Sequence, residues 1–117
     1  MTLAFRRDNL TIRAEQARHR RTVAVSGEVD LATKPDFDAA LTAALDPPAE
    51  VVVLDLSGVS FLSSCGLQVL LELQDRADEQ GCDLRVVCAN RPVRRPLEIV
   101  GLDRRLRLFT SREHALS

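Results

Sequence analysis

Four consecutive residues carry the most reactive chemistry in this 117-residue chain: Ser63, Ser64, Cys65 and Gly66. Two hydroxyls and a thiol stand immediately before Leu67, Leu70, Leu71, Gln74 and Ala77, which recur at helical spacing. Gln68, Glu72, Asp75, Asp78 and Glu79 fill the opposite side, so the pattern predicts an amphipathic helix that begins at the serine pair. The first turn of a helix has unpaired N–H groups and a partial positive charge, and accommodates an anion. A hydroxyl at Ser64 would therefore sit where a phosphoryl group can be attached and tolerated. Serine is also a preferred helix cap, and that plainer role accounts for Ser63 or Ser64 equally well. Gly66 has no side chain and lets another molecule approach the backbone closely. Cys65 at a helix start could have a lowered pKa and sense redox state, a reading that thiol labelling at neutral pH would test.

The element that delivers these residues is Val51-Val52-Val53-Leu54-Asp55-Leu56, apolar nearly throughout and β-branched at its start. This suits a central strand covered on both faces. Ser57-Gly58 is a turn signal that ends it.

The run from Val53 to Leu67 resembles the signature of the STAS domain, and in particular that of the bacterial anti-sigma factor antagonists. Their usual form is an apolar strand, a phenylalanine, a small or apolar residue, then Asp-Ser-Ser/Thr-Gly-Leu. Here Ser63 stands where the family usually carries aspartate and Cys65 where it carries serine or threonine. Val25-Ser26-Gly27-Glu28-Val29-Asp30 is similar to the family's turn before the first helix, and Val93 through Leu102 to its last helix and Gly-Leu exit.

The resemblance implies a single STAS-type α/β domain over residues 1–117. Its sheet would be mixed but mostly parallel, with an N-terminal hairpin and about four helices. It implies an anti-sigma factor antagonist that is not an enzyme. Its partners would be an anti-sigma factor acting as serine kinase and a phosphatase, with Ser64 the phosphorylated residue. Asp30, Ser63, Ser64, Cys65 and Gly66 would then meet the partner. An alternative is an unphosphorylated STAS scaffold subunit of a larger lipid-transport or stress-sensing complex.

Composition bounds the remaining possibilities. The chain is 45% hydrophobic and 28% charged, as an ordinary globular protein is. A net charge of −1 exerts no global pull toward nucleic acid or an anionic membrane. Four phenylalanines, with no tyrosine or tryptophan, argue against a base-stacking platform. No apolar run approaches the ~20 residues that span a bilayer, and Met1–Leu10 does not read as a signal peptide. Three cysteines with no framework spacing point to a reduced, cytoplasmic protein. A phosphate loop would need a lysine that Lys34 cannot supply, and His19 and His114 lie in charged peripheral segments away from any nucleophile. No cofactor or metal site is expected.

Along the chain, Leu10–Ala14 and Thr22–Val25 predict a hairpin around a charged loop, Glu15–Arg21. Thr33-Lys34-Pro35 opens a helix whose stripe is Phe37, Ala40, Leu41, Ala44 and Leu45, with Asp30 capping nearby. Leu84–Ala89 reads as a strand and Gln80-Gly81 as the helix exit before it. Asn90-Arg91-Pro92 starts a helix with Val93, Leu97 and Val100 inward. Leu106–Phe109 reads as a short strand, and Ser111 caps a final turn. Arg91, Arg94, Arg95, Arg104, Arg105 and Arg107 make a local basic bias, read as a solvated surface that could also meet an acidic partner.

Overall fold

Each strand-to-helix alternation in the sequence becomes one step of a single six-stranded sheet in the computed structural model, which describes residues 2–7 and 9–117. The elements are β1 (Thr2–Arg7), β2 (Leu10–Ala17), β3 (Arg20–Val29), α1 (Lys34–Ala44), β4 (Val51–Leu62), α2 (Ser64–Gln80), β5 (Asp83–Val87), α3 (Arg91–Ile99), β6 (Leu108–Phe109) and α4 (Arg112–Leu116). Strand order follows the chain, β1 to β6: the first three strands pair antiparallel, and β3 through β6 run parallel. Met1 and Asp8 of the opening segment lie outside the described residues.

The two faces of the sheet are finished differently. Val52, Leu54 and Leu56 of β4, Val23 and Val25 of β3, and Leu84 and Val86 of β5 join the principal core with Phe37, Leu41, Leu70, Leu73 and Leu97 of the long helices. Val53 and Val87 point the other way, against Ala115 and Leu116 of α4 and Phe109 of β6. β4 is thus covered on both faces, as its unbroken apolar run predicts. Beyond α4 that second face turns polar, with Arg13, Ser26 and Asp55 along it.

Several elements extend past their expected limits. Ser57-Gly58 does not end β4. The pairing steps from Ala24↔Asp55 to Ser26↔Gly58, and again from Gly27↔Val59 to Glu28↔Phe61, so the extra residues are taken up as bulges. The Ser57 amide donates to Asp55 Oδ1 at 2.9 Å, a local bond that diverts the backbone. Gly58 then passes so near β3 that an added Cβ would lie 2.6 Å from Ser26 Cβ. Glu15–Arg21 is likewise not a loop. Ala17 pairs with Arg20 across a turn at Arg18-His19, and Arg18 adopts φ 54°. The charged side chains there stand on open parts of the ladder, where Arg21 Nε donates to Gln16 Oε1 at 2.7 Å. The expected hairpin is accordingly a three-stranded meander with β1 outermost.

The C-terminal third follows its pattern with one reversal. Gly81, at φ 69°, caps α2 in the left-handed conformation. Ser111 Oγ accepts from the His114 amide and caps α4. Val100, expected inward, is 56% exposed: its amide still donates to Pro96 O at 3.3 Å, but at the end of α3 it lines an open groove with Ser64 and Leu67 and not the core. Leu102 turns back instead, its amide donating to Leu97 O at 2.9 Å.

Candidate functional site

The β3–β4 ladder brings the two loops of interest together. Val29 pairs with Leu62, and the Ser63 amide donates to Val29 O at 2.9 Å, one residue beyond the last β4 position. Ser63 is the N-cap of α2, with φ −80° and ψ 170°, and its carbonyl accepts from the Gly66 and Leu67 amides at 3.0 and 3.1 Å. Its side chain makes no capping bond and lies 2.9 Å from Cys65 Sγ. Ser63 therefore holds the cap position read from sequence without the side-chain capping bond expected of it.

Ser64 is the first residue of α2 and is exposed, and its hydroxyl has no hydrogen-bond partner among the described residues. Ser63 and Cys65, on either side, are half-buried. Gly66 is buried. A Cβ there would meet Leu62 Cδ1 at 2.6 Å and Val29 Cγ1 at 2.8 Å, so the close approach that its missing side chain permits is made by this chain's own core. A side chain at Gly66 would have to displace Leu62 and Val29 while Ser64 reaches solvent, and this seats the first turn of α2 directly on the strand ends.

Asp30 stands beside this turn and is committed to the entry of α1. Its Oδ1 accepts from the Thr33 amide at 3.0 Å, while Thr33 Oγ1 donates to Glu28 O at 2.8 Å. No hydrogen bond joins Asp30 to Ser64 among the described residues. Asp30 thus closes the turn that leads into α1, whose N-cap is Thr33 and carries no side-chain capping bond.

Two features of the site were not singled out from sequence. Leu31, Phe61, Ile99 and Val100 are large apolar side chains left exposed, Leu31 at 80% and Ile99 at 72%. Ile99 and Val100 line a groove of about 560 Å³ between α2 and α3 together with Ser64, Leu67, Arg91 and Arg95. The exposed leucine and phenylalanine sit on the adjoining loop and strand end. An apolar surface around one solvent-facing hydroxyl is suited to docking a protein. The available signal was the i, i+4 spacing of Arg91 and Arg95 with Ile99 one further turn along α3.

Among the described residues, no three His, Cys, Asp or Glu side chains gather as a metal site, and no helix is long and apolar enough to cross a membrane. His19 is exposed in the β2–β3 turn, 3.9 Å from Glu50. Burial pushes the Cys82 and Cys88 thiols up, which keeps them protonated.

The family model of the STAS domain matches residues 11–115. This chain belongs to the STAS domain family. The STAS chain is 30% identical over 110 residues to the anti-sigma-F factor antagonist RsfB of Mycobacterium tuberculosis, covering 94% of this chain and 89% of that protein. It is also 30% identical to an anti-sigma F factor antagonist of Paenibacillus polymyxa, covering 93% and 94%. Its fold superimposes on the crystal structure of an anti-sigma factor antagonist from Mycobacterium paratuberculosis with a TM-score of 0.85, at 32% identity, covering 92% and 91% of the two chains. SpoIIAA in its unphosphorylated form shares the fold alone, with a TM-score of 0.73 at 18% identity over 90% of this chain and 92% of that one.

Proposed function

We propose that this STAS domain is a cytoplasmic anti-sigma factor antagonist switched by phosphorylation of Ser64. Unmodified, it binds a kinase-type anti-sigma factor through the surface around the α2 N-terminus and so frees a sigma factor. The kinase transfers the γ-phosphoryl group of ATP to Ser64 Oγ. The new Oγ–P bond replaces the bond to the β-phosphate, ADP leaves, and the hydroxyl proton passes to a base on the kinase. A phosphatase hydrolyses the ester and restores the binding form.

The observation that carries this reading is the isolation of the Ser64 hydroxyl. It is exposed, without a hydrogen-bond partner among the described residues, and bordered by half-buried Ser63 and Cys65 and buried Gly66. Added charge of roughly −1.5 to −2 falls on the docking surface and not in the core. The names borne by the relatives in Mycobacterium tuberculosis and Paenibacillus polymyxa support the same role.

The test pairs binding with modification. Ser64→Asp is expected to abolish binding to the kinase-type anti-sigma factor, a loss of at least ~3 kcal/mol or more than a hundredfold in Kd, while Ser64→Ala binds constitutively. Intact-mass measurement after incubation with that kinase and ATP should show one phosphoryl adduct, absent in Ser64→Ala. Tight binding by Ser64→Asp would sink the switch.

A further inference from the structure

We propose that Arg91 and Arg95 form a latch for the phosphoryl group on Ser64, holding it across the groove between α2 and α3. This deepens the preceding section and rests on its assignment of Ser64 as the acceptor.

The argument begins from which arginines are already engaged. Arg94, between the two, donates to Cys88 O at 3.1 Å and lies 4.0 Å from Glu98. Arg105 is paired with Asp75 and Asp78, and Arg107 with Asp83. Arg91 and Arg95 are exposed and have neither hydrogen bond nor ion pair among the described residues, although both line the groove with Ser64. They sit four residues apart on α3, so their side chains share a face, and like charges at that spacing repel. No carboxylate lines the groove to relieve them. The resting domain thus keeps an uncompensated double positive charge next to its free hydroxyl.

A phosphoserine at position 64 supplies the missing counter-charge. It carries three acceptor oxygens, and guanidinium forks match them with two parallel N–H···O bonds each. Arg91 comes from the first turn of α3 and Arg95 from the second, so the pair can grip the group from two points. The latched phosphate would lie across the apolar surface of Leu67, Ile99 and Val100. A partner seeking that surface meets a fixed, hydrated ion pair in place of a groove.

The experiment uses full-length protein carrying genetically encoded phosphoserine at position 64, so no kinase is needed, and follows the phosphorus resonance as pH is varied. The second ionisation of phosphoserine, ordinarily near ~6, is expected to fall in the parent protein and to rise by about 0.5–1 unit in the double variant Arg91→Gln, Arg95→Gln. Arg104→Gln, which removes an exposed, unpartnered arginine outside the groove, should leave it unmoved. Equal midpoints in parent and double variant, or an equal shift with Arg104→Gln, would overturn the latch and leave Ser64 standing as acceptor. Absence of a kinase-dependent adduct would overturn the acceptor assignment whatever the titration shows. Unphosphorylated variants should melt with the parent, since both side chains are exposed.

Discussion

The Ser63 amide donates to the Val29 carbonyl at 2.9 Å, which makes the residue before α2 the final rung of the β3–β4 ladder. The helix is pinned to the sheet at its very start. Ser64, one residue on, inherits a position set by the core and not by a free loop.

That seating depends on Gly66, whose added Cβ would stand within 3 Å of both Leu62 and Val29. Gly66→Ala should therefore destabilise the domain by about 1–3 kcal/mol, even though alanine is the better helix former. Urea unfolding measures this. A stability equal to or above that of the parent would mean that α2 is not held against the strand ends as described.

Asp55 ties the second face of the sheet to the C-terminal helix. Arg112 Nε donates to its Oδ2 at 3.0 Å and Nη2 lies 2.9 Å away, while Ser57 donates to Oδ1. Burial alone would push this carboxyl up. The Ser57 and Arg112 bonds outweigh it, and the net shift is downward. A carboxylate with a depressed folded pKa contributes stability above its unfolded value, near ~3.9, and loses it as pH falls through the folded one. Asp55→Asn should thus cost about 1–2 kcal/mol at pH 7, with the gap to the parent closing below the unfolded pKa. A gap independent of pH would exclude the charge as its source.

Thiol chemistry should divide the three cysteines. Cys82 and Cys88 are buried, with thiols raised by that burial, whereas Cys65 is half-buried beside the Ser63 hydroxyl. A maleimide at neutral pH is expected to modify Cys65 alone in the native protein and all three in denaturant. Native labelling of Cys88 would contradict its burial in the principal core just beyond β5.

Ile99 offers a probe of the docking surface that leaves the fold alone. At 72% exposure it supports little of the core, so Ile99→Ser should change stability by no more than ~0.5 kcal/mol. Its affinity for a kinase-type anti-sigma factor should nevertheless drop about tenfold, the equivalent of one apolar side chain left unburied. Unaltered affinity would move the interface away from α3.

Much of this was present in the chain's own pattern. The apolar run Val51–Leu56, the stripe of α2, Gly81 at its exit and Ser111 before α4 are local signals, because strand and helix periods and caps act over a few residues. They specify an alternating α/β order and put Ser64 at a helix start. Tertiary structure alone decided how far the strands extend and what surrounds the hydroxyl. The bulges of β4 arise from its pairing with β3, and the charged strand ends at Glu15–Arg21 exist because a partner strand satisfies their backbone. Val100 is exposed because the end of α3 overhangs an open groove and not the core. Arg91 and Arg95 read in sequence as ordinary surface charge; their bearing on Ser64 follows only from the groove that α2 and α3 line together, which brings onto one surface residues nearly thirty positions apart that no local period relates.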